Sequence, residues 1–238
     1  LLRVVRPRGR LIEGSRITAK PVPAGTGQWS HPYHGADNNP QSEDRLAKAP
    51  YITKFLATPW YGPMPEVTVS SGGRMFKAFG FLAFKRREWP MVGKLVCLNS
   101  YNGAQLWTRQ LTPGFMIHRS TIVATPDTLY LGDNTSCKLI DAATGTLRGE
   151  IVVPESVQAE GKAWKWMTLR NGVLYALFGP EEKLHPVHLG TRTQTGWPWQ
   201  TVRGTYGEFQ QTWTFGKTLV AFDVKTRKVL WSHRSQKI

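Results

Sequence analysis

Two histidines and an aspartate in "HPYHGAD", His31, His34 and Asp37, are the residues here whose types and spacing most resemble a metal site. Imidazole and carboxylate together suit zinc or iron. Pro32 between the histidines and Gly35 after them dictate a bent loop, not a helical face on which an i, i+3 pair converges, so anchoring of that loop is the expected role. A second pair, His185 and His188 in "HPVH", offers the same donors inside a long insertion. His118 and Arg119 in "GFMIHRST" can hold an anion by charge and hydrogen bonding. Their plainer role is packing against neighbouring elements. Cys97 and Cys137 stand in strand-like segments without metal-ligand spacing and are expected as buried, inert thiols. "GDNTS" (132–136) supplies only a fragment of the six to eight oxygens, about, that calcium takes. The sequence has no Gly-x-Ser-x-Gly elbow, phosphate loop or haem-attachment Cys-x-x-Cys-His.

The elements that must position these residues come from an internal repeat. "LVCLNSYNGAQLW" (95–107), "LIDAATGTLRGE" (139–150) and "LVAFDVKTRKVLW" (219–231) are variants of one phrase. With Asn99, Asp141 and Asp223 in one column, Gly103, Gly145 and Arg227 follow four residues later, and Trp107, Gly149 and Trp231 four beyond that. The columns are 42 and then 82 residues apart, one and two units of about 40, the size of a four-stranded propeller blade. Upstream, "VTVSSGGRMFKAFG" (67–80), "TIVATPDTLYLGD" (121–133) and "MTLRNGVLYALFG" (167–179) each read strand, turn, strand, with Phe76, Tyr130 and Tyr175 in one slot. The acidic column ends the third strand of each unit, where a side-chain oxygen accepts from the turn's backbone and a Gly at the turn's tail can take positive φ. Asp141, Asn99 and Asp223 are therefore expected to form turns, not to catalyse. The Trp slot lies on the outermost strand and covers the next blade.

The fold expected is all-β: a partial β-propeller of about three four-stranded antiparallel blades (about 67–111, 118–153 and 164–235), preceded by an N-terminal extension. From the aromatic slot to the acidic column the second unit takes 11 residues, the first 23 and the third 48. The excess in the first and third is insertion that can roof one end of a central channel. Because closed rings have about four to eight blades, further blades of the same protein are expected partners. "YITKFLATPW" (51–60) has the pattern of a lone outer strand that closes the ring onto the last blade.

Composition sets the outer bounds. Ten Trp, 23 Gly and 16 Pro in 238 residues favour short strands and many turns. No stretch approaches the roughly 18 consecutive apolar residues of a membrane span. A net charge of +15, spread along the chain and dense only at Arg3–Arg16 and Lys85–Arg87, fits a solvated basic surface or non-specific polyanion binding. Without a DNA- or RNA-binding module it does not point to nucleic acid. The opening "LLRVVRPRGR" has neither Met nor an apolar leader and reads as part of something longer, with any export signal outside it.

"LIDAATGTLRG" and "VAFDVKTRKVLW" resemble the pyrroloquinoline-quinone-like (PQQ-like) β-propeller repeat, over roughly residues 60–235. That family includes quinoprotein alcohol dehydrogenases and a lipoprotein propeller of outer-membrane assembly. "GQWSHPYHGADNNPQSED" (27–44) is similar to the lead-in of large bacterial proteins, common in planctomycetes, in which such a propeller follows a methyltransferase-like domain. "LLRVVRPRGRLI" (1–12) resembles a late strand and turn of that domain, with Arg8 where the pattern has its first Gly. The resemblance implies a stub and linker over 1–28, a lead-in with a ring-closing strand over 29–66, and blades over 67–238. It also implies an extracytoplasmic, periplasmic setting, although no signal is visible in this chain. PQQ and Ca²⁺ enter only through the resemblance: working members hold the quinone between a Trp floor and, in several of them, a disulfide of adjacent cysteines, with an Asp base and Ca²⁺, and this sequence has no adjacent cysteines. The expected function is a binding or scaffold module for a protein or saccharide ligand. A PQQ-dependent oxidoreductase and a polyanion-binding module are the alternatives, and whether the chain is an enzyme is left open.

Overall fold

The computed structural model describes residues 3–50, 53, 55–63, 65–113, 120–181, 184, 188–189 and 216–236. The N-terminal extension forms a hairpin, β1 (Arg10–Glu13) and β2 (Arg16–Ala19), tied to the first sheet by the Arg8 guanidinium, which donates to the carbonyl of Gly72. The repeats then fold as the alternation of apolar and turn residues requires. β3 (Pro65–Ser71), β4 (Arg74–Phe79), β6 (Lys94–Asn99) and β7 (Gln105–Gln110) make the first sheet, with β5 (Leu82–Ala83) in the insertion between β4 and β6. β8 (Ile122–Ala124), β9 (Thr128–Gly132), β10 (Cys137–Asp141) and β11 (Leu147–Ile151) make the second. β12 (Ala163–Arg170), β13 (Val173–Gly179), β15 (Thr218–Asp223) and β16 (Val229–Arg234) make the third. Each is an antiparallel meander in chain order, as expected. β14 (His188–Leu189), from the long third insertion, pairs parallel with β5, so the insertions of the first and third sheets meet.

The first strands of the three sheets, β3, β8 and β12, are neighbours, β8 lying against both others. Sheets that stand side by side with their first strands inward and their fourth strands outward form an arc of a β-propeller. Its core lies between sheets. Val69, Phe76, Leu95 and Cys97 of the first pack on Ile122, Leu129, Leu131 and Ile140 of the second. Val123, Tyr130 and Leu139 of the second pack on Trp164, Leu174, Phe178 and Phe222 of the third. Burial of this apolar surface, at about 25 cal/mol per Å², is the main force joining one sheet to the next.

All three acidic-column residues form the expected turn. Asp141 Oδ1 accepts from the amides of Ala143 and Thr144 at 2.8 and 2.7 Å. Asp223 Oδ1 accepts from Lys225 and Thr226 at 3.0 and 2.7 Å, and Asn99 Oδ1 from Tyr101 at 3.0 Å. At the turn's tail Gly103, Gly145 and Arg227 have φ of 71°, 76° and 60°, so the third copy holds a side chain in the left-handed region that glycine occupies in the other two.

The described residues of 51–60 enter no sheet. They lie along the outward face of the first sheet, where Ala57 packs with Phe79, Val96 and Leu98. Burial alternates residue by residue from Phe55 to Trp60, as in a strand, although no strand partner is present among the described residues. In the first insertion the Arg87 guanidinium stacks 3.9 Å from the centre of the Tyr61 ring, so part of the 85–87 basic cluster is used to hold this segment down.

Candidate functional site: a loop laced across three inner strands

Residues 28–37 contain few apolar side chains and many turn formers, so their backbone groups must find partners outside the segment. They do so one sheet at a time. The backbone of Trp29 pairs with Ser70 at the end of β3, in both directions, at 3.0 and 2.6 Å. The next residue, Ser30, accepts at its carbonyl from the amide of Ala124 on β8 at 2.8 Å. His31 accepts at Nε2 from the amide of Leu169 on β12 at 3.1 Å. Three consecutive residues thus lace the inner strands of the three sheets together. Gln28 extends the lacing, its Oε1 accepting from the Ser71 hydroxyl at 2.6 Å.

The same geometry defines what His31 can do. Because Nε2 accepts a backbone hydrogen bond, the ring hydrogen sits on Nδ1, which donates to Ser30 Oγ at 2.8 Å. Ser30 in turn donates to the carbonyl of His34. His31 and His34 close a tight loop by pairing each other's backbones, and the Trp29 ring meets the His34 ring edge-on with centroids 5.3 Å apart. Burial holds the His31 imidazole at about 4, below its usual 6.5; the charge of Asp37 opposes that shift and His34 adds to it. Both ring nitrogens are engaged by the protein, so the neutral ring is a structural tie with no lone pair free for a metal. No three His, Cys, Asp or Glu side chains among the described residues converge as metal ligands.

Around the laced loop lies a cleft of about 1070 Å³, bounded by residues 25–28, 30–31, 34–37, 42–45, Ser71, 123–126, Leu169 and Arg170. It opens over the ends of β3, β8 and β12. Asp37, a candidate ligand by its residue type, lines it; so do Arg45 and Arg170, which the repeat pattern gave no reason to single out. Asp44 supports its rim by accepting from the amides of Gly27, Leu46 and Ala47, each at 2.8 Å. The signal in the sequence was the run "GTGQWSHPYHGADNNPQSED", dense in turn formers without a strand or helix period.

The remaining predicted site residues fall elsewhere. His118, Arg119 and His185 lie outside the described residues. His188 enters β14 opposite Leu82, far in sequence from the His31 loop. Asp133 of "GDNTS" is not an open oxygen donor: Oδ1 accepts from Thr135 and Ser136, and Oδ2 pairs with the Lys138 ammonium. Burial raises its carboxyl, but Lys138 and the two amides outweigh that and hold it below the usual range. Cys97 and Cys137 are free, buried thiols. Burial pushes Cys97 up to about 12, and Cys137 higher still, so both stay protonated and unreactive at neutral pH.

Solved structures to which the chain is similar include BamB from Moraxella catarrhalis, 13% identical over 71% of this chain and 39% of that one, with a TM-score of 0.39. Two others are quinohemoprotein alcohol dehydrogenases. The one from Pseudomonas putida HK5 is 12% identical over 87% of this chain and 40% of that one, with a TM-score of 0.41. The one from Comamonas testosteroni is 13% identical over 74% and 21%, with a TM-score of 0.39. The chain spans less than half the length of each. No family model matches the sequence, and no curated protein does.

The described residues do not fit the quinone site that the repeat's family suggests. Cys97 and Cys137 belong to different sheets, on β6 and β10, and an ammonium already neutralises Asp133. A carboxylate paired in this way neither completes a calcium shell nor serves as a base. No reaction step is derived through the cofactor.

Proposed function

We propose that this chain is the binding and scaffold segment of a PQQ-like β-propeller in an exported bacterial protein, in which residues 28–37 lock three blades into a fixed arc and shape a ligand cleft over their inner ends. The observation that carries the reading is the lacing of Trp29, Ser30 and His31 to β3, β8 and β12. It uses the best candidate chemical groups of the sequence as hydrogen-bond ties, and it builds a polar, open cleft with Arg45, Arg170 and Asp37 on its walls. A rigid scaffold that carries a loop-built cleft is a common arrangement for recognition. The occupant proposed is a saccharide or a polar protein segment, since the lining offers hydroxyls, amides and charges of both signs. The extracytoplasmic setting rests on the repeat's resemblance alone, as does the completion of the ring by further blades.

The test is a titration of short oligosaccharides and of acidic and basic peptides, followed by amide chemical shifts. Saturable shifts confined to Ser30, His34, Thr125 and Arg170 support the reading. Dye-linked alcohol or sugar oxidation on addition of pyrroloquinoline quinone with Ca²⁺, absent without either, would replace it with the oxidoreductase reading.

A further inference from the structure

The chain contains two Asn-Gly pairs, Asn102-Gly103 and Asn171-Gly172. An asparagine followed by glycine sets a backbone nitrogen within reach of its own side-chain amide carbon, and the glycine has no side chain to hinder the approach. As dipeptides the two pairs are identical. Their surroundings in the fold are not.

Asn102-Gly103 lies in the turn between β6 and β7, pinned at the groups the attack would use. The Gly103 amide donates to the carbonyl of Asn99 at 2.8 Å, and Asn102 Oδ1 accepts from the amide of Ala104 at 3.1 Å. Gly103 is buried, and the Phe55 ring lies against it, where a β-carbon would stand 2.5 Å away. Bringing the glycine nitrogen onto the Asn102 side chain therefore breaks both hydrogen bonds and displaces the ring.

Asn171-Gly172 is the two-residue turn between β12 and β13, closed by the pairing of Arg170 with Val173. Its φ values, 51° and 77°, are both positive, as a type I′ hairpin requires. Both residues are exposed, and nothing among the described residues lies within 4 Å of the place a β-carbon would take on Gly172. The carbonyl of Gly172 is held by the amide of Val224 at 3.1 Å, but no described residue accepts from the Gly172 amide or bonds the Asn171 side chain. Nucleophile and target are free in the same open turn.

We infer that Asn171 is a site of spontaneous deamidation in the folded chain, and that the fold protects Asn102 from the same reaction. The Gly172 nitrogen, giving up its proton, bonds Cγ of Asn171; the Cγ–Nδ2 bond breaks, and ammonia leaves with that proton as a succinimide closes. Water, the only co-reactant, then opens the ring. Addition at Cγ leaves aspartate on an unaltered backbone, and addition at the backbone carbonyl carbon leaves isoaspartate, whose main chain runs through the side chain. Aspartate keeps the turn, since Asp-Gly suits type I′ as Asn-Gly does, and sets a carboxylate one residue from Arg170 on the cleft wall. Isoaspartate adds a methylene to a two-residue turn whose length fixes the β12–β13 register. The inference goes beyond the binding reading and stands whether or not the cleft takes a ligand.

The test incubates the intact chain at mildly alkaline pH, native and in urea, and follows the replacement of NH by O at each asparagine by peptide mass spectrometry, with isoaspartate resolved from aspartate chromatographically. In the native chain Asn171 is expected to convert at least about tenfold faster than Asn102, because reaction at Asn102 must wait for its turn to open. In urea the two should convert at comparable rates. Equal native rates, or faster conversion at Asn102, overturn the inference. So does a preference for Asn171 that persists undiminished in urea, since sequence neighbours and not the fold would then set it. A native chain in which neither converts, while both convert in urea, overturns it as well.

Discussion

The Arg227 guanidinium of the third sheet lies against Gly149 of the second, so close that a β-carbon at 149 would stand 2.4 Å from its nitrogen. Between the first and second sheets the sizes are reversed: the large residue, Trp107, is on the outer strand, and the glycine, Gly145, is in the facing turn. One volume is filled at both interfaces, from opposite sides. Gly149→Trp alone is therefore expected to cost about 2 kcal/mol through overpacking. Combined with Arg227→Gly, which also relieves the left-handed backbone at 227, it should recover the overpacking part of the loss, while the strain of a side chain at position 149, whose φ is 149°, remains. Denaturant titrations of the two single variants and the double variant should show a favourable coupling of at least about 1 kcal/mol.

Trp107 and Trp231 occupy the same column but bear different loads. Trp107→Ala removes a ring packed near Phe76 and a hydrogen bond to Ala142, and should cost about 3 kcal/mol. Trp231→Ala, at a ring that is 44% exposed among the described residues, should cost less than about 1 kcal/mol in this chain. Thermal melts of the two variants check the difference. Equal losses would mean that the third face is covered.

His31 gives the fold a pH dependence of definite direction. Its folded pKa of about 4 lies below the ordinary 6.5, so as pH falls the unfolded chain takes up a proton that the folded chain refuses. The tie is at full strength above about pH 6.5 and weakens progressively down to about pH 4, below which this group adds no further loss. The span corresponds to about 2 kcal/mol once screening by solvent is allowed for. His31→Gln keeps an acceptor near the Nε2 position without titrating, so its stability between pH 4 and 6.5 should be flatter than that of the parent chain. Urea midpoints across this range are the measurement.

Cys97 and Cys137 should resist alkylation in the native chain at neutral pH and react together on unfolding, because burial keeps both thiols protonated. Quantifying iodoacetamide labelling with and without denaturant tests this. Fast native labelling of either would place it at a surface.

The meander of each sheet was legible in the sequence because turn chemistry and alternation are local. The Asn99, Asp141 and Asp223 columns and the Phe76, Tyr130, Tyr175 slot could be aligned by eye, and the register keeps them in equivalent places. The exchange between Gly149 and Arg227 was not legible, since a column shows a substitution without showing which residue of another sheet compensates it. Nor was the lacing at Trp29, Ser30 and His31, which depends on backbone groups that every residue carries. His31 drew attention as a donor for metals; its partner, the amide of Leu169, lies 138 residues away and has no sequence signature. The segment 51–60 was read as a strand from its pattern, and its residues 55–60 have a strand's alternation without a sheet among the described residues, with Ala57 packed on the first sheet.

Amide hydrogen exchange at Ser70, Ala124 and Leu169 tests the lacing most directly, since each donates to a different one of three successive residues. All three should be protected in the parent chain. In His31→Ala, Leu169 should lose its protection while the amides of β9 and β13 keep theirs. Exchange at all three in the parent chain as fast as at an exposed turn would contradict the account.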